Sequence, residues 1–151
     1  MVDLELLLAA IAEVETQSGR NNCARYEPAY MPRGQAFTIQ GRLVKGTGTA
    51  FNAIVSKRWE EWGLASAASW GPWQVLWHSA ADRGYPGEPW ALTSESVSKP
   101  WVKKHLLWLA DRVTLDYAKL ARAWNGGPGA KPPVADEYVI KIAHAIERLG
   151  G

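Results

Sequence analysis

A glutamate on the apolar stripe of a helix can hold a proton that a solvated one releases, and Glu15 has that placement. Asp3 carries the side-chain oxygen of an N-cap, and Leu4, Leu7, Leu8, Ile11 and Val14 then recur at helical spacing before Gly19, a natural stop. At about 100° per residue, Glu15 projects between Leu4 and Leu8, whereas Glu13 falls nearly opposite and Glu5 off to one side. The chemistry on offer is general acid catalysis by a carboxyl kept protonated near neutral pH. The competing reading is an ion pair with Arg20 or Arg25 at the helix end.

Three other segments hold polar and aromatic groups on restricted backbone. Ser69 to Gln74 (Ser-Trp-Gly-Pro-Trp-Gln) sets indole and amide groups around a Gly-Pro pair just ahead of a helix, a way to line a cleft. Trp124, Asn125, Gly126, Gly127 and Pro128 end another helix in a tight turn that presents the Asn125 amide. Arg25, Tyr26 and Glu27 follow soon after Glu15. The chain has nine Trp, and indoles stack well on the apolar faces of sugar rings, although Trp59, Trp62, Trp101 and Trp108 fall at spacings that suit packing.

The elements that position these groups are mostly helical. Phe51 to Trp62 reads as a helix stopped by Gly63, and Trp73 to Arg83 as another stopped by Gly84. Pro100 suits a first turn with Ser98 as cap, and Val102, Leu106, Leu109 and Val113 mark the buried face. A bend near Thr114 separates that helix from Asp116 to Trp124. Asp136 caps a last helix whose stripe is Tyr138, Val139, Ile142, Ala143, Ile146 and Leu149. Gly19 to Gly48 is rich in Gly, Pro and Asn, and within it only Ala36 to Val44 alternates, as a short hairpin or irregular flap would. The predicted architecture is mainly α: one domain over residues 1–151, with a small irregular or β-hairpin excursion.

At 151 residues the chain can bury roughly 70% of its unfolded surface in one core without disulfides or metals. Its single Cys23, expected to be a buried or idle thiol, and three scattered His residues give no reason to propose a metal, and no cofactor is expected. A net charge of +2 is too mild for nucleic-acid binding, although a basic excess helps at an anionic cell wall. The first residues lack the basic region of a secretory signal, and no apolar run reaches the ~20 residues needed to span a membrane. No membrane insertion is expected, and the chain is expected to act as a monomer.

Taken together and in order, Glu15 at a first helix end, Ser69 to Val75 in the middle, and Ala123 to Gly129 followed by Tyr138-Val139-Ile140-Lys141-Ile142 resemble the soluble lytic transglycosylase family of the lysozyme superfamily. The likeness spans nearly the whole chain, and the stretch Ala24 to Pro28 is similar to a subset of such domains from phages and prophages. It implies a lysozyme-like (α+β) fold and cleavage of the β-1,4 bond between N-acetylmuramic acid and N-acetylglucosamine, with peptidoglycan glycan strands as partner and Glu15 as acid. A transglycosylase then uses the substrate's acetamido group and 6-hydroxyl, leaving a 1,6-anhydro end. A muramidase of the same fold hydrolyses with a positioned water, and Glu27 is the best second carboxylate, unless it pairs with Arg25, Arg33 or a helix end. Asp82, Glu60 and Glu61 read as solvated helix charges.

On this resemblance Gln74 and Asn125 hold acetamido groups, and Tyr138 supports charge near the cleaved bond or orients Glu15. Trp70, Trp73, Tyr26 and Trp124 are the candidate sugar contacts, with ordinary core packing as the alternative. Thr16 stands where the family has Ser after the acid, Pro72-Trp73 replaces Leu-Met, and Trp124 replaces a Tyr. These changes keep open a glycan-binding or virion-structural domain without turnover. With no secretory signal, the expectation is an endolysin or virion-associated lysin, phage-encoded and reaching the wall by lysis or with the virion.

Overall fold

The computed structural model describes residues 2–150. Helix α1 (Leu4–Thr16) starts where its cap predicts, with Asp3 accepting from the Glu5 and Leu6 amides, and it buries Leu7, Leu8 and Ile11. It ends three residues before Gly19, because Gln17 and Ser18 already turn left-handed. The Thr16 hydroxyl accepts from the Gly19 amide at 2.9 Å and closes the turn.

The expected excursion is a hairpin of β2 (Ala36–Ile39) and β3 (Arg42–Lys45), whose Phe37 meets the Trp59 edge at 5.7 Å. Trp59 belongs to α2 (Ala53–Trp62), capped by Asn52. A second, three-stranded antiparallel sheet was not foreseen. In it β4 (Ala68–Trp70) lies between β1 (Arg25–Tyr26) and β5 (Val75–Leu76), with Arg25 opposite Ser69 and Trp70 opposite Val75.

Residues 73–76 are therefore not the start of the next helix. Gly71 to Gln74 form the β4–β5 turn, and α3 (Trp77–Asp82) begins after it. Gly71 is required at this turn: its φ is +80° and an added Cβ would lie 2.2 Å from the Leu92 carbonyl oxygen.

Helix α4 (Glu95–Val113) also begins earlier than Pro100 suggests. The Ser98 amide already bonds the Ser94 carbonyl, so Ser98 is not the cap and Pro100 lies inside the helix on its exposed side. Val102, Leu106 and Leu109 form its buried face, and Thr114 breaks it at a φ of +81°. The expected stretch after the bend is α5 (Tyr117–Gly126), and Asp116 caps it, accepting from the Lys119 amide.

Helix α6 (Asp136–Gly150) packs against α1 and α5. Asp136 lies inside its first turn, where it pairs with Arg122 at 2.6 Å. The buried face runs through Ile142 and Ala145, so Ala143 and Leu149 of the expected stripe face solvent. The chain is thus mainly α with small antiparallel sheets, and no described helix is long and apolar enough to cross a membrane.

Candidate functional site

An open cleft of about 510 Å³, within the usual range of small-molecule sites, is lined by the end of α1, the three-stranded sheet, α3, the middle of α4 and the C-terminal end of α5. Glu15, Glu27, Gln74, Trp124 and Asn125 all line it.

Glu15 enters from the last turn of α1 with its side chain only 8% exposed. Arg25 of β1 reaches it, its Nη2 lying 2.9 Å from Oε2 and also donating to the Glu15 carbonyl at 2.7 Å. The inward-facing carboxyl and the ion pair, alternatives in the sequence, are both present. Burial pushes the carboxyl above its ordinary range, while the Tyr138 hydroxyl, the Arg25 guanidinium and the Trp124 indole pull it back. Burial dominates, so the net shift is upward. Arg20 plays no part, since its Nε donates to the Gln17 carbonyl.

Strand alternation sorts the next three residues. Arg25 and Glu27 line the cleft, whereas Tyr26 between them, opposite Ala68, points off the lining and makes no cleft wall. Glu27 is held by its backbone, its amide donating to the Ala67 carbonyl at 2.7 Å. Among the described residues its carboxylate has no ion-pair partner, and burial raises its pKa against the opposing Arg25 charge.

The β4–β5 turn divides its groups. Gln74, at a φ of +50°, is 7% exposed; its Nε2 donates to the Cys23 and Gly71 carbonyls, and its buried Oε1 has no partner. Both donors are used, so what the amide offers a ligand is an acceptor. Trp73 turns the other way, 4% exposed with its Nε1 on the Leu8 carbonyl at 2.9 Å. Trp70 packs against the core and donates to the Ala65 carbonyl. Neither indole lines the cleft, so neither is placed to stack on a sugar. Cys23 is exposed rather than buried.

Tyr138 is behind the acid, not in the cleft wall. Its buried hydroxyl falls short of full hydrogen-bond geometry with any described residue, yet it is close enough that it and Glu15 shift one another, with burial the larger cause on the Tyr side. Of its two expected roles, orienting Glu15 is the one its position suits.

The sequence reading missed the far wall. Asp82, read as a solvated helix charge, lines the cleft and pairs with Arg58 at 2.8 Å; Tyr30, Arg83, His105 and Trp108 line it too. Periodicity gave no functional signal for them: Trp108 reads as packing, Tyr30 and His105 sit beside the core positions Met31 and Leu106, and Arg83 only follows the end of α3. Trp124 meets the His105 ring edge at 5.6 Å, joining this wall to the acid.

No family model, no curated protein and no solved structure matches the chain.

Proposed function

We propose that the protein is a lysozyme-like enzyme that cleaves the β-1,4 bond of peptidoglycan, with Glu15 as general acid. The observation that carries this is the Glu15 carboxyl itself: enclosed at a helix end, raised by burial, held by Arg25 and opening into a cleft. The acid protonates the leaving glycosidic oxygen. The unpartnered Gln74 Oε1 suits the N–H of an acetamido group, and Asn125 supplies an exposed amide across the cleft.

The first reading is a lytic transglycosylase. The substrate's acetamido oxygen supports the developing cation, and Glu15, now ionised, takes the proton from the 6-hydroxyl as the 1,6-anhydro bond forms. Arg25 would hold that ionised state between the two steps. The second reading, a muramidase, is favoured by Glu27, a cleft carboxylate without an ion-pair partner among the described residues, which could direct a water.

The test is mass spectrometry of soluble fragments released from purified peptidoglycan by the wild type and by Glu15→Gln. We expect 1,6-anhydro ends from the wild type and a 10²- to 10⁴-fold slower release from the variant. Reducing ends would make the enzyme a muramidase. Equal release by both would remove Glu15 as acid, and tight binding without release by either would leave a glycan-binding domain.

A further inference from the structure

The wall of the cleft opposite the acid carries Arg83, whose guanidinium has no ion-pair partner among the described residues. Arg83, just past α3, lies over the Trp108 indole with its guanidinium carbon 4.1 Å from the ring centroid. Arg112 approaches the same ring at 3.7 Å, and His105 stacks with it at 5.5 Å. Among the described residues no carboxylate lies within ion-pair distance of either arginine, and Asp82, next to Arg83 in sequence, is engaged by Arg58. Arg112 donates to the Trp108 carbonyl, but the buried Nη1 of Arg83 and the buried Nδ1 of His105 have no partner.

A partly buried guanidinium loses hydration that a cation–π contact replaces only in part. Its planar fork matches a carboxylate. Trp108, crowded by three planar groups, is poorly placed to stack on a sugar as well.

We propose that Arg83 and His105, braced by Trp108, form a carboxylate subsite that favours acidic over neutral glycans. The ligand would be the acid carried by a muramyl sugar or by a peptide attached to it. That identity rests on the peptidoglycan reading, whereas the anion site does not.

The test uses two arms. In the first, Glu15→Gln protein, alone and with Arg83→Gln or Arg83→Lys, is titrated with three oligomers of equal length: peptide-free glycan strands, peptide-bearing strands and neutral N-acetylglucosamine oligomers. We expect Arg83→Gln to weaken binding of an acidic strand about tenfold or more, Arg83→Lys to restore part of it, and the neutral oligomer to be unaffected. The acidic strand that loses more identifies the carboxylate. Equal losses on acidic and neutral oligomers, or no loss, would overturn the subsite.

In the second arm, acetate is titrated into wild type and Arg83→Gln while the His105 ring is followed by NMR. A saturable shift that Arg83→Gln abolishes supports the anion site even if no glycan binds, in which case the peptidoglycan reading alone fails. A ring that does not respond to acetate overturns the subsite.

Discussion

At Glu15, burial and pairing pull in opposite directions, and each can be removed separately. A carboxyl whose folded pKa is raised contributes stability that is present below the unfolded value of 4.5 and lost as pH rises through the folded value. Glu15→Gln removes that dependence. Its stability relative to wild type should therefore grow as pH rises above about 4.5, read from urea midpoints at a series of pH values, while the proposed peptidoglycan release falls. Tyr138 offers a subtler probe, because its hydroxyl lowers the acid's pKa without satisfying a hydrogen bond of its own. Tyr138→Phe should cost less than about 1 kcal/mol of stability. It should also move the basic limb of the pH–rate profile upward, an effect a purely structural tyrosine would not produce.

Two elements must meet for the site to exist, the end of α1 and the β4–β5 turn, and one hydroxyl ties them. Thr16 is 1% exposed and donates to the Pro72 carbonyl at 2.7 Å while accepting from the Gly19 amide. Thr16→Val keeps the shape but strands both backbone groups, so it should lower stability by about 1–3 kcal/mol and slow the proposed peptidoglycan release, whereas Thr16→Ser should be close to neutral. Trp73, on the core side of the same turn, should cost about 3–5 kcal/mol as Trp73→Ala, measured by denaturant unfolding. These ties also explain what could be read from residues alone. The α1 stripe with its Asp3 cap, an excursion at Ala36 to Val44 and the inward Glu15 follow from spacing and local chemistry, and all are present. The three-stranded sheet is built from strands of two or three residues, too short to show alternation, so Trp73 to Leu76 was read as helix. That Gln74 faces the cleft and both turn indoles face away from it depends on that sheet. Arg83 was hidden for a related reason, since it follows α3 and meets His105 and Trp108 of α4 only in the folded chain.

Across the whole molecule, two buried histidines oppose the two raised carboxyls of the cleft, Glu15 and Glu27. Burial, with Arg58 near one and Arg83 near the other, lowers both His78 and His105 from 6.5 to about 4. A depressed histidine contributes stability present above the unfolded value and lost as pH falls, so the protein should weaken progressively between pH 6.5 and 4. The loss should be on the order of 2 kcal/mol per histidine, visible as falling urea midpoints. His78 is also where the turn at Tyr30 and helix α2 meet α3, since it stacks on Tyr30 at 4.8 Å and contacts Arg58 at 3.1 Å. Acid should therefore loosen the wall that Tyr30 and Asp82 share with the cleft before it loosens α1 and α6, an order that hydrogen exchange at pH 5 would reveal. The one thiol has a use of its own. Cys23 is exposed, and its carbonyl receives the Gln74 amide that lines the cleft. A maleimide dye would attach at that single place, two residues from Arg25, in the unaltered protein. Ligand binding could then be followed optically without engineering a label site.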